Sequence, residues 1–107
     1  MRKIICLGLF ALVLVGAYGQ VRNENRWLVG TWTETEADRI WVFKADGSGQ
    51  LEDWSFNFSI EQTSEGMVLS VFYDDGEFWE YIIRRISDRQ VVLRSIHPTR
   101  GTFNLTR

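Results

Sequence analysis

The sequence predicts an all-β protein, a small antiparallel up-and-down meander barrel of seven or eight strands. After residue 26 the chain consists of short segments rich in aromatic and β-branched residues, with turn residues about every eight to twelve positions. Several of these segments alternate apolar and polar residues with a period of two, and none has a helical period longer than one turn. Turns this short permit hairpin connections, which favours a meander over a Greek key.

The first 19 residues have the organisation of a cleaved secretory signal peptide. Arg2 and Lys3 form a basic segment, residues 4–16 are apolar or small, and residues 17–19 (Ala-Tyr-Gly) give the small-x-small pattern that signal peptidase reads. The apolar run is too short to span about 30 Å of hydrocarbon as a helix. We therefore expect an exported protein, periplasmic or extracellular, with no transmembrane segment.

The expected mature protein has a polar N-terminal segment at 20–26, either a tail or a short turn of helix, and one β-barrel domain at 27–107. Without Arg2 and Lys3, the 12 basic residues of the chain become 10 against 14 acidic ones, a formal net charge of −4. This sign is unfavourable for binding nucleic acid, so we expect no nucleic-acid partner. The one cysteine, Cys6, lies in the leader, so the expected barrel depends on packing and has no disulfide.

The strands follow from the alternation and from the turns between them. The first two are expected at 30–36 and 39–44, and an Asp-Gly turn with a second glycine, Gly49, for a positive φ comes next. Residues 54–61 alternate apolar, mostly aromatic, and polar side chains. The longer range 50–62 forms either one bent strand or two short ones. Ile86 returns to the interior only through a bulge. The remaining strands are expected at 67–73, 78–86, 90–96 and 102–107.

Gly30 and Trp32 open the first strand with a pattern suited to closing a barrel. A glycine allows another backbone to approach closely, and a large indole can plug the end of a barrel. A series of short motifs follows along the chain, namely Gly30-Thr31-Trp32, Phe43-Lys44-Ala45-Asp46-Gly47-Ser48-Gly49, Trp54, Tyr81-Ile82-Ile83 and Phe103-Asn104-Leu105-Thr106-Arg107. In the order and spacing of these motifs the chain from Trp27 on resembles the small bacterial secreted lipocalin-like domains, which are calycin-type β-barrels. The resemblance implies that Trp32 packs across the closed end beneath Arg107 in a cation–π contact.

Aromatic side chains are the candidate ligand site. An eight-stranded barrel is just wide enough to be filled by side chains or to hold one small ligand, and all five tryptophans lie after the leader. We expect a non-enzymatic barrel that binds a small hydrophobic ligand at its open end. The expected ligand-binding residues are Trp41, Phe43, Trp54, Phe56, Trp79 and Tyr81.

The alternative is a filled core in a protein–protein interaction or inhibitor-type module of the cell envelope. The second and sixth strands are bulky on both faces, with Ile40 and Val42 on the outer face of one and Phe78 and Ile82 on that of the other. Such a patch is typical of a surface that meets an envelope protein or a second copy of the chain.

The sequence predicts no catalytic residue, no metal site and no cofactor. The mature chain has no thiol and one histidine, His97, in a polar turn, whereas a zinc site needs several His or Cys ligands. Residues 74–77 (Asp-Asp-Gly-Glu) predict a hairpin turn and not a calcium loop. Four carboxylates are instead expected on solvated strand faces, namely Glu34, Glu52, Asp53 and Glu80.

Overall fold

The computed structural model describes residues 20–97 and 101–107, and these form an all-β protein. Eight antiparallel strands make a closed up-and-down barrel in which each strand pairs with its sequence neighbours and β1 pairs with β8. The predicted fold class is confirmed, whereas the expected leader lies outside the described residues. No helix within the described ranges is long and apolar enough to cross a membrane. The strands are β1 (Gly30–Glu34), β2 (Arg39–Phe43), β3 (Ser48–Leu51), β4 (Trp54–Thr63), β5 (Gly66–Tyr73), β6 (Phe78–Ser87), β7 (Gln90–Ser95) and β8 (Thr102–Thr106).

The region that the sequence left open, residues 50–62, contains two strands and not one. β3 ends at Leu51 and β4 begins at Trp54. The reversal between them places Glu52 in the left-handed region at φ 52°, and its carboxylate accepts a hydrogen bond from the backbone N–H of Ile40 at 2.6 Å. Glu52 is exposed, as expected, and its hydrogen bond stabilises the turn between β3 and β4.

The segment before β1 is more ordered than a tail. A 3-10 helix covers Asn23–Leu28, and the backbone N–H of Val21 donates to the carbonyl of Ala45 at 2.8 Å. Leu28 is fully buried in the core. The helix therefore packs against one end of the barrel, on the side where β1 begins.

Trp32 and Arg107 lie together at this closed end. Trp32 is fully buried, and its Nε1 donates to the carbonyl of Leu28 at 2.8 Å. The guanidinium carbon of Arg107 lies 4.2 Å from the centre of the Trp32 ring, within cation–π distance. Arg107 also donates to the carbonyls of Val29 at 3.1 Å and Asp88 at 2.9 Å. The cation thus links the start of β1 to the β6–β7 turn.

Gly30 and Gly49 have structural roles that differ from those expected from the sequence. Gly30 has φ +138°, and a Cβ there would meet the side chain of Arg107 at 3.2 Å, not another backbone. The close approach occurs at Gly49, where a Cβ would overlap the carbonyl oxygen of Val42 and lie 2.5 Å from the ring of Phe56. The positive φ of that hairpin belongs to Gly47, at 90°. Gly49 is required for packing and not for its backbone conformation.

The seam between β1 and β8 is the shortest pairing of the barrel. Only two residue pairs are in register there, compared with eight between β4 and β5. The seam continues beyond β1, where the Thr35 N–H donates to the Asn104 carbonyl at 2.9 Å and the Asn104 side-chain amide donates to Glu36 at 2.9 Å. The hydrogen bond from the Asn104 side chain lowers the pKa of Glu36. One backbone and one side-chain hydrogen bond therefore extend the short ladder.

The outer surface carries exposed apolar side chains on β5 and β6. Phe72 and Phe78 face each other across the two strands, with ring centres 4.3 Å apart and nearly parallel planes. The register of β6 and β7 shifts between Arg85 and Ser87, yet Ile86 remains 44% exposed. The bulge is present, but it does not return Ile86 to the interior.

Replacing Trp32 by alanine should destabilise the protein by about 3–5 kcal/mol, because it removes a fully buried aromatic side chain. The measurement is the free energy of unfolding in urea. Trp54→Ala is the matched control, since Trp54 is 56% exposed and its loss leaves little cavity. Equal losses in the two variants would show that Trp32 does not hold the closed end.

Candidate functional site

A cavity of about 290 Å³ lies at the end of the barrel opposite Trp32. In an antiparallel meander, the even-numbered strands begin at the end of the barrel where the odd-numbered strands finish. The walls of the cavity are formed at this end, by the first residues of β2, β4, β6 and β8 and the last residues of β3 and β5. The cavity is lined by Arg39, Trp41, Leu51, Trp54, Tyr73, Asp75, Glu77, Trp79, Tyr81 and Phe103. Six of the ten are aromatic.

Four of the six residues expected to bind a ligand line this cavity, namely Trp41, Trp54, Trp79 and Tyr81. The structure does not bring Phe43 and Phe56 into the wall. Both are buried, with ring centres 5.7 Å apart. They follow Trp41 and Trp54 by two residues, and two residues along a strand keep the face but move about 7 Å toward the closed end. Phe43 and Phe56 therefore belong to the core beneath the cavity.

The aromatic rings of the wall contact one another in a continuous series. Trp79 stacks on Tyr81 with ring centres 6.3 Å apart. The ring of Tyr81 is in turn steeply inclined to those of Trp41 and Phe103, with ring centres 6.2 Å and 6.0 Å apart. Trp54 stands at the rim, where it is more than half exposed. Because these rings pack against each other, the wall is held in position on the sheet.

An ion pair between the buried Glu34 and the partly exposed Arg39 lies beside the cavity, where β1 ends and β2 begins. Glu34 is 1% exposed; it accepts hydrogen bonds from Nε1 of Trp41 at 2.9 Å and from Nη2 of Arg39 at 3.0 Å. The expectation of a solvated Glu34 is wrong because Glu34 shares the inward face of β1 with Trp32. A buried carboxylate needs such partners, since burial of an unpaired charge is costly.

The sequence analysis did not predict Arg39 as a cavity residue, although its place in the alternation of β2 indicated an inward side chain. It has the same strand parity as Trp41 and Phe43, which are both buried. Its guanidinium carbon lies 6.0 Å from the centre of the Phe103 ring. The Nε of Arg39 is buried, and no group among the described residues accepts a hydrogen bond from it.

The β5–β6 turn places two carboxylates at the mouth of the cavity. Asp75 accepts a hydrogen bond from the backbone N–H of Glu77 at 3.0 Å, and Gly76 takes φ +96° to complete the turn. Glu77 in turn accepts a hydrogen bond from Nε1 of Trp79 at 3.0 Å. The segment is a hairpin turn, as predicted, and Asp75 and Glu77 line the cavity.

Tyr73 adds a hydroxyl group to the wall. Burial raises the pKa of Tyr73 to about 12; the charge of Arg39 opposes this shift, and those of Asp75, Glu34 and Glu77 add to it. The hydroxyl is therefore protonated at neutral pH. The described residues contain no group of three His, Cys, Asp or Glu side chains that could hold a metal ion.

Folding stability should fall as the pH rises from about 10, where tyrosine ionises in the unfolded chain, through about 12, where Tyr73 ionises in the folded one. The sign follows because the folded protein retains a proton that the unfolded chain has lost. Tyr73→Phe should reduce this decrease and remove one late step from the tyrosinate absorbance at 295 nm. An unchanged titration in Tyr73→Phe would contradict the assignment.

The closed eight-stranded meander is consistent with a calycin-like barrel. Comparison of the chain with protein-family models, with curated proteins and with solved structures gave no match. The architecture and the geometry of the cavity are therefore the basis for any functional conclusion.

Proposed function

We propose that this protein is an exported, non-enzymatic lipocalin-like barrel that binds one small, largely apolar molecule at its open end. The single observation that carries the proposal is the aromatic cavity. Its volume of about 290 Å³ is near the lower limit of the roughly 300–1,000 Å³ that is usual for small-molecule sites. Apolar walls with a few polar groups are also usual for such sites.

The distribution of side chains inside the barrel supports a pocket over a filled core. Phe43, Phe56 and Phe58 pack against one another inside the barrel in tilted and edge-on contacts, with ring centres 5.0 to 6.3 Å apart. Beyond Trp41 the inward positions of β1 and β2 hold Glu34 and Arg39, which pair with each other. The aromatic filling therefore ends below the rim, and the space above it is the cavity.

Export and membership of the lipocalin-like family are parts of the same proposal. Export is supported by the leader pattern at 1–19. Membership is supported by the order of the short motifs along the chain, together with the closed meander and the contact between Trp32 and Arg107 at its closed end.

A neutral fluorescent probe, N-phenyl-1-naphthylamine, should bind with one-to-one saturation and an increase in its emission. Trp54→Ala should weaken this binding about tenfold, because it removes one aromatic wall. Phe78→Ala is the matched control, since Phe78 is exposed on the outer face and does not line the cavity. Equal weakening in both variants, or no saturable binding to the wild type, would contradict the proposal.

A second candidate function, an interaction module, is favoured by the exposed and stacked pair of Phe72 and Phe78 on the outer face. On this second proposal the wild-type protein self-associates with rising concentration. Ile82→Lys, on the same face, should abolish association and leave the unfolding transition in place. Sedimentation velocity over a range of concentrations makes the measurement, and a monomer at every concentration would contradict self-association through this face.

A further inference from the structure

We infer that the ligand of the open-end cavity is a cation, an apolar molecule that carries a primary or quaternary ammonium group. The inference deepens the proposed function and rests on it. It follows from three properties of the cavity: the charge of its lining, the aromatic character of its walls and its size.

The lining has an excess of negative charge. Arg39 is the one cation among the residues that line the cavity, and Glu34 neutralises it through a contact of 3.0 Å. Asp75 and Glu77 remain, and no cation in the described part of the chain forms a salt bridge with either of them. Two unbalanced carboxylates at the mouth make the potential inside negative, since low-dielectric walls concentrate the field of charges at the rim.

The aromatic walls of the cavity also favour a positively charged ligand. The faces of aromatic rings are electronegative, and a cation within about 6 Å of a ring centre is attracted to them, most strongly to tryptophan. Three tryptophans line the cavity, and Glu77 holds one of them, Trp79, through its indole N–H. Tyr73 contributes a neutral phenol. An ammonium group near the rim would therefore meet both aromatic side chains and carboxylates.

An anionic ligand fits the cavity less well. A ligand carboxylate would be repelled by Asp75 and Glu77, and its one available cation, Arg39, is already paired with Glu34. Transferring Arg39 to the ligand would leave Glu34 buried and unpaired, which is strongly unfavourable. The buried Nε of Arg39 requires only an acceptor atom, and a neutral hydroxyl or carbonyl oxygen can provide one.

Size restricts the apolar part of the ligand. A cavity of about 290 Å³ accommodates one or two rings or a short alkyl chain, below the usual range for drug-sized ligands. The chemical class is therefore a small aryl- or alkylammonium.

The experiment compares three probes that share one apolar group and differ in charge: 2-naphthylmethylammonium, 2-naphthylmethanol and 2-naphthoate. Calorimetric titration of the mature chain expected after leader cleavage, residues 20–107, should give an affinity for the cation about tenfold higher than for the alcohol. The naphthoate should bind most weakly. Added salt should reduce the preference for the cation, because the carboxylates of Asp75 and Glu77 are exposed to solvent and therefore to screening.

The double variant Asp75→Asn/Glu77→Gln should remove most of the preference for the cation and leave the affinity for 2-naphthylmethanol within about twofold. The control Glu61→Gln/Glu65→Gln makes the same change in net charge at the β4–β5 end of the barrel and should leave the preference intact. An equal reduction in both double variants would show that only net charge matters and would overturn the inference.

The outcomes separate the inference from the proposed function. If 2-naphthylmethanol or 2-naphthoate binds as tightly as the ammonium probe, the cavity is a ligand site and the inferred charge of the ligand is wrong. If none of the three probes binds and N-phenyl-1-naphthylamine also fails, the proposed function is wrong together with the inference.

Discussion

Closure of the sheet is the constraint on which the rest of the structure depends. Eight strands enclose a space that one layer of side chains nearly fills, so every inward position either fills the core or lines a pocket. Closure relies on a short β1–β8 ladder, extended by the Asn104 hydrogen bonds at one end and by Arg107 at the other. Because Arg107 also covers Trp32, the seam and the closed end are held by the same side chain.

The interior divides into two halves with different chemistry. The half near Trp32 is filled by aliphatic and aromatic side chains that exclude water. In the half beyond Phe43, the inward positions hold the paired charges of Glu34 and Arg39 and a ring of aromatic walls. A charge pair inside a small barrel limits how tightly apolar side chains can pack around it, since both groups need their hydrogen bonds. Glu34 and the partly exposed Arg39 therefore occupy inward positions at the open end, whereas apolar side chains occupy the inward positions nearer the closed end.

The candidate site combines residues of very different predictability. Trp41, Trp54 and Trp79 were recognisable because aromatic residues on an inward-facing strand must line either a core or a pocket. Asp75 was predicted correctly as part of a hairpin turn, but nothing in its spacing shows that its side chain lies at the mouth of the cavity. Glu34 was misread because an acidic residue on a strand is usually solvated, although its strand parity with Trp32 pointed inward.

By itself, the sequence determined the class of the fold, the number and order of the strands to within one, and the Asp-Gly turns that follow β2 and β5. These features depend on local alternation and turn chemistry, which act over a few residues. Only the tertiary structure decided which inward aromatic residues line the cavity and which fill the core, because that depends on depth along the barrel axis. It also decided the partners of Glu34, the packing role of Gly49 and the charge at the cavity mouth. Each of these depends on contacts made across strands when the barrel closes.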